Sequence, residues 1–229
     1  MKQVIQIRCK NNKKSQKVEI GSTLFDIFSA FDLKMTHGPV SARVNNKVEG
    51  MHYRVYNSKD VEFLDMTSSS GSRAYTRTLF FVLCKAVQDI YPATDVVIDI
   101  PVSNGFYVDI RLGRPVVDED VNIIRRRMQE IIDARMPIRR FTVPTEEAVA
   151  LFQEKGDVEK VKLLKTSGSI YTTYYKIGDY VDYYYGTLLT NTSQLYLFGL
   201  EKYYDGMLLR IPSLKNPDVL GEMTRQDKM

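Results

Sequence analysis

Soft metal ligands are scarce in this 229-residue chain, which has two cysteines, Cys9 and Cys84, and two histidines, His37 and His52. Two cysteines cannot build a disulfide framework, and four such side chains make a thin ligand set, so a zinc enzyme is not expected. No apolar run approaches the roughly 20 residues that a bilayer span needs. Met1 to Lys17 carries Lys and Arg among polar residues where a secretory signal would have an apolar stretch. The chain therefore reads as soluble and cytoplasmic, with no membrane partner. There is no Gly-x-x-x-x-Gly-Lys-Ser/Thr loop to hold ATP phosphates, no Gly-x-Gly-x-x-Gly, no His-Glu-x-x-His and no Cys-x-x-Cys. Gly21-Ser22-Thr23 and Ser167-Gly168-Ser169 are too short to replace a phosphate loop. His37 and His52 have no thiol or carboxylate at a diagnostic spacing and read as surface histidines.

What is present is ordinary globular composition, 44% hydrophobic and 26% charged, which excludes disorder, collagen and coiled coil and suits one large domain or two modest ones. The net charge of +4 is too mild to announce nucleic-acid binding, but its distribution is uneven. Residues 1–17 carry +6 and residues 121–140 carry +4, leaving −6 for the rest. Solvated surface is the ordinary reading of such stretches. A phosphate-facing patch at Arg125, Arg126, Arg127, Arg139 and Arg140 is the functional one.

The first 66 residues alternate as a small sheet does. Val4, Ile5 and Ile7, the turn Asn11 to Lys14, then Val18 and Ile20 predict a hairpin. Ser22 or Thr23 is placed to cap a helix with apolar Leu24, Ile27, Phe28 and Phe31, ended by Gly38-Pro39. Strands around 42–44 and 61–64 flank Asn45-Asn46-Lys47, completing a β-grasp-like unit. Residues 67–73, Thr-Ser-Ser-Ser-Gly-Ser-Arg, read as a linker. After it, Leu79 to Tyr91 is apolar nearly all round and predicts a buried helix. Strands are expected at Val96–Ile100 and Phe106–Ile110, joined by Ser103-Asn104-Gly105. An amphipathic helix capped by Asp118 or Asp120 should follow and stop at Pro137. A short helix from Thr145 to Phe152 precedes strand-like sequence to the end, holding ten of the fifteen tyrosines. Strand packing is the plain reading of those tyrosines and base stacking the alternative.

Particular stretches carry a family resemblance. Gly21-Ser22-Thr23-Leu24 and Ala42-Arg43-Val44-Asn45 resemble the TGS domain of threonyl-tRNA synthetases. Ala86 to Pro92, Asn104 to Asp109, Asp118 to Met128, Glu146-Glu147-Ala148 and Asp182 to Thr192 resemble, in order, the editing domain that follows it there. The resemblance implies an α+β chain: a TGS-like β-grasp domain at 1–66, a linker at 67–73, an editing-like α/β domain at 74–215, and a tail at 216–229. It also implies four degenerate positions. The family's His-x-x-x-His pair falls on Arg77 and Phe81, and its later cysteine and histidine fall on Tyr184 and Leu188. Lys160 and Asp182 match family pocket residues, so Arg77, Lys160 and Asp182 form a candidate ligand pocket, with no catalytic residue and no metal expected.

A TGS domain before such a degenerate editing region also resembles the N-terminal half of long-form bacterial uridine kinases. That resemblance implies a non-catalytic regulatory or ligand-binding region. Uridine or cytidine phosphorylation, with ATP and Mg, would belong to a downstream P-loop domain reached through the 216–229 tail. This region itself would need no cofactor. Its partners would be that kinase domain and a small-molecule ligand or RNA. The alternative reading is an RNA- or tRNA-binding module with a dead editing site; an active deacylase lacks a visible nucleophile or metal set.

Overall fold

The computed structural model describes residues 3–92, 94–102 and 104–222. It is a mixed α/β structure with five α-helices and several sheets among those residues. The first unit is a five-stranded sheet in the order β2-β1-β7-β4-β5, built from β1 (Val4–Cys9), β2 (Ser15–Glu19), β4 (Ser41–Val44), β5 (Lys47–Glu49) and β7 (Lys59–Leu64). The β1–β2 hairpin falls where its turn residues place it, Lys47, read as part of a turn, instead begins β5, which pairs with β4, and β7 runs parallel to β1. Asn45 and Asn46 both take positive φ (44° and 73°), a conformation asparagine tolerates better than most residues. β3 (Ser22–Thr23) pairs with β6 (Arg54–Val55) and leads into α1 (Leu24–Ala30). Thr23 caps α1 reciprocally: its hydroxyl accepts from Asp26 N at 3.2 Å, and Asp26 accepts from Thr23 N at 2.8 Å. Leu24 and Ile27 bury against Ile7, Val61 and Phe63 to close this core.

The larger unit is organised by α2 (Ser69–Ile90). Against it lie the sheet β13-β14-β9-β8, made of β8 (Val96–Val102), β9 (Gly105–Ile110), β13 (Gly199–Tyr203) and β14 (Gly206–Arg210), and helix α3 (Asp118–Asp133). A three-stranded sheet, β10 (Arg139–Pro144), β11 (Tyr171–Ile177) and β12 (Tyr180–Tyr183), covers another side. The hairpin of α4 (Thr145–Glu154) and α5 (Val158–Thr166) packs Phe152 and Leu164 with Val181 as a satellite core. Among the described residues, no helix is long and apolar enough to cross a membrane.

Several expectations are corrected. Residues 67–73 are not a free linker: Ser68 caps α2, residues 69–73 form its first turn, and Gly71 and Ser72 are buried. A polar sequence hides this turn because its burial comes from the neighbouring unit; a Cβ on Gly71 would stand 1.9 Å from the Asp65 carbonyl oxygen. Pro137 does not end α3, which stops at Asp133 with Arg135 at φ 50°. Neither Asp118 nor Asp120 is its N-cap residue. Asp120, in the first turn, accepts from Val117 N at 2.9 Å. The strand-like reading of the segment after Phe152 missed α5, whose Val161 and Leu164 pack inward at helical spacing. Ser103 and residues 223–229, part of a predicted turn and of the predicted tail, lie outside the described residues, as does Lys2 of the basic N-terminal stretch. Residues 216–222 fold back, with Gly221 N bonded to Ile211 O at 3.1 Å.

Two measurements check these packing claims. Gly71→Ala should destabilise by about 2 kcal/mol, because the clash is with backbone that cannot rotate away; an unchanged unfolding midpoint would contradict the close approach. Asp120 accepts a bidentate pair from Arg114 (2.6 and 2.8 Å), the Tyr91 hydroxyl (2.6 Å) and Val117 N. Arg114 first, with Tyr91 and Val117 N, holds its carboxyl well below the usual range against the opposing effect of burial. A depressed carboxyl contributes stability above its unfolded value and loses it as pH falls through the folded one. Asp120→Asn should therefore be less stable than the parent at pH 7, with the gap closing progressively below about pH 4.

Candidate functional site

A polar cleft of the second unit, about 760 Å³, lies between α2, β12, the β8 edge and the α4–α5 turn. Cys84 and Gln88 face it one helical turn apart on α2. Lys160 enters from the first turn of α5, because Asp157 caps that helix by accepting from Lys160 N at 3.0 Å. Lys160 Nζ then bonds both Asp157 Oδ2 (2.7 Å) and Asp182 Oδ1 (2.9 Å), 5.7 Å over the Phe152 ring. Asp182, on β12, is fully engaged: its other oxygen accepts from the Tyr180 hydroxyl at 2.9 Å, and Oδ1 also accepts from Tyr183 N at 2.6 Å.

These contacts set the protonation states. Burial works against the Lys160 cation, but Asp182 and Asp157 outweigh it and raise its pKa. Burial, then the charge of Asp182, push the Cys84 thiol up to about 12. Burial first and Cys84 next also raise the Tyr180 and Tyr184 hydroxyls well above normal. At neutral pH the cleft holds a charged lysine, a protonated thiol and the protonated Tyr180 phenol, with Asp157 and Asp182 paired to the lysine, while the exposed Asp95 and Glu159 also line it. The lysine, thiol and phenol can donate hydrogen bonds to a ligand, but they offer no activated nucleophile.

Of the four positions read as degenerate, Phe81 and Tyr184 are in direct contact. Phe81, fully buried, meets Tyr184 edge-on at 5.6 Å and Tyr180 at 5.1 Å between ring centroids. Leu188 is also fully buried and belongs to the same core. Arg77 is separated from the other two candidate pocket residues. It does not line the cleft with Lys160 and Asp182, but lies against Gly186, where an added Cβ would stand 2.7 Å from its Nη1. Residue spacing on α2 explains this, since Arg77 precedes Cys84 by nearly two turns, about 10 Å along the axis. Cys84 and Tyr180 are the cleft residues that motif reasoning missed, although Cys84 continues the 77–81 face of α2. Among the described residues no group of three or more His, Cys, Asp or Glu is placed to hold a metal ion.

The arginine patch is partly consumed within the protein. Arg127 bonds Asp89 and Glu130, both at 2.9 Å, and Arg140 lies 3.6 Å from the buried Glu49. Arg125 bonds only Asn122. Arg126 and Arg139 are exposed and have no ion-pair partner among the described residues. The surface reading of the histidines is also corrected. His37 stacks on Tyr196 at 3.7 Å and bonds Asp218 at 2.7 Å. His52 is half-buried with its Nε2 unpartnered, its pKa lowered by burial and then by Arg140. Both sit where parts distant in sequence meet, which local sequence cannot show.

No protein-family model matches the chain. It is 29% identical over 181 residues to the threonine–tRNA ligase of Acetivibrio thermocellus, covering 79% of this chain and 28% of that one. It is 30% identical to the ligase of Clostridium kluyveri over 193 residues (83% and 30%) and to that of Syntrophotalea carbinolica over 204 residues (84% and 32%). The chain spans about a third of the length of these curated relatives or less. They support a threonyl-tRNA-synthetase-like region here and give no support to the uridine kinase resemblance.

The cleft's chemistry predicts a sluggish thiol. Cys84 should react with iodoacetamide at pH 8 at least about a hundredfold more slowly than in the denatured chain, as read by mass spectrometry. Asp182→Asn should accelerate it by removing the nearby negative charge. Alkylation of the folded parent at the denatured rate would refute the assigned protonation state.

Proposed function

We propose that this chain is a cytoplasmic RNA-binding module derived from threonine–tRNA ligase, in which a TGS-like β-grasp unit precedes an editing-like unit that no longer deacylates. The observation that supports the reading is the packing at four positions: similarity to the ligases covers 83% of the chain, and Arg77, Phe81, Tyr184 and Leu188, on which the resemblance puts the family's His and Cys residues, are a guanidinium and apolar or phenolic bulk. A buried phenylalanine against two tyrosines leaves no imidazole or thiolate for hydrolysis. RNA contact would rest on Arg125, Arg126 and Arg139, whose charges are not spent on internal ion pairs.

A second reading, the regulatory or ligand-binding region of a uridine kinase, is favoured by the internal pairing of Arg127 and Arg140 and by the polar cleft around Lys160. In that reading ATP and Mg serve a separate P-loop kinase domain, and the cleft takes a small ligand or docks that domain.

The decisive comparison is tRNA mobility shift beside deacylation of mischarged threonine tRNA. We expect salt-sensitive tRNA binding and no deacylation above a protein-free control. Replacing Arg125, Arg126 and Arg139 together with Gln should weaken binding and reduce the slope of log K against log salt by about 2. Deacylation would overturn the loss of editing. Absence of tRNA binding at low salt would overturn the RNA reading in favour of the kinase-associated one.

A further inference from the structure

Three polar side chains that α2 carries inward, Tyr75, Thr78 and Lys85, are matched by partners far along the chain. Tyr75 donates to Leu197 O at 2.8 Å and accepts from Leu197 N at 2.9 Å. Thr78 donates to Ala74 O at 2.7 Å and accepts from Leu189 N at 2.9 Å. Lys85 pairs with Asp89 at 3.1 Å and Asp179 at 2.9 Å. Arg77 has no hydrogen-bond or ion-pair partner among the described residues, although it is half-buried. Its neighbour one turn back is another cation, Arg73, which among the described residues bonds Ser70 alone. Like charges four apart on a helix repel, and here no carboxylate offsets them. Burial and then Arg73 both lower the Arg77 pKa, as expected of a partly desolvated guanidinium without a counter-charge.

The surroundings of Arg77 are open on one side. Gly186 is exposed, with φ 110°, and its lack of a Cβ lets the guanidinium lie against the turn. Tyr175 holds that turn by donating to Gly186 O at 2.8 Å. Arg77, Arg140 and Glu49 all act electrostatically on the Tyr175 hydroxyl, and Arg140 and Glu49 lie 3.6 Å apart, so Arg77 is the unpaired cation of this group. Directly before Gly186 stands Tyr185, whose ring is 87% exposed, among the most exposed large apolar side chains described. An arginine without an ion-pair partner among the described residues, set against the residue that follows a bare aromatic ring and with a second arginine one helical turn back, is a combination that holds a nucleotide: the guanidinium takes the phosphate and the ring stacks on the base.

We infer that Arg77, Arg73 and Tyr185 form a nucleotide-binding site at the 185–186 turn, separate from the Lys160 cleft, that takes a phosphate through Arg77 and stacks a base on Tyr185. The inference rests on the RNA reading for its expected source, an unpaired nucleotide of RNA; a free mononucleotide presents the same chemistry.

The chain has no tryptophan, so Tyr185→Trp places a single reporter on an exposed position. Its emission is to be followed with a 12-nucleotide single-stranded RNA, with UMP, and with inorganic phosphate. Stacking should quench the emission with RNA, and adding Arg77→Gln should weaken that binding about tenfold, with partial recovery by Arg77→Lys. Circular dichroism of each variant establishes that it is folded. Quenching by UMP alone, with the same Arg77 dependence, supports the site and assigns it to free nucleotide. No quenching by RNA or UMP up to about 1 mM, or quenching indifferent to Arg77→Gln, overturns the site. In that case tRNA mobility shift by the parent chain still tests the RNA reading independently.

Discussion

The second unit depends on burying α2 on almost every side. A helix of 22 residues, about 33 Å long, has Leu79, Phe81, Val82, Leu83, Ala86 and Val87 within one continuous core. Each large apolar side chain contributes about 1.5–3 kcal/mol when fully buried. That gain requires partners on several faces, which explains why two sheets and α3 gather round one helix. It also requires that every polar group carried inward finds a partner, and Tyr75, Thr78 and Lys85 reach 94 to 122 residues along the chain to do so. These bonds tie the segment 179–197 to the helix, and so position the turn at 185–186 and the start of β12.

The same burial sets the inner wall beside the cleft. Phe81, Tyr184 and Leu188 are consistent with one another as core: an aromatic edge contact, a fully buried leucine, and a tyrosine whose hydroxyl meets the Cys84 thiol. Restoring one polar ligand-like residue among them would bury a group without partners. What survives is the outer part, where Lys160, Asp157 and Asp182 satisfy one another. That trio is better explained as a closed charge network than as a poised catalytic group, because each of its charges is already met.

The two units share a junction rather than meeting through a free tether. Val40 and Met66, from the first unit and its edge, belong to the core around α2. Gln194 bonds Pro39 O at 3.2 Å, and Arg140 approaches the buried Glu49. This contact takes Arg140 out of any simple surface patch and leaves His52 half-buried beside it. The charge distribution visible along the chain is thus redistributed by folding: some cations are neutralised internally, and Arg77 has no ion-pair partner among the described residues.

Local periodicity and turn chemistry were sufficient for the hairpin of β1 and β2, the Thr23 cap of α1, the buried helix after residue 79, and the amphipathic α3. Those features are set by neighbours three or four residues apart, or by the alternation of a single strand. Residue order was also enough to group Lys160 with Asp182, which the structure brings within 2.9 Å. The extension of α2 back to Ser69, the helix α5 and the packing of His37 and His52 were not legible, because each depends on a partner far away in sequence. Only the tertiary structure separated Arg77 from Lys160 and Asp182. Their grouping by family position ignores the axial rise of α2, which carries the guanidinium past Phe81 to the 185–186 turn while Cys84 takes its place in the cleft.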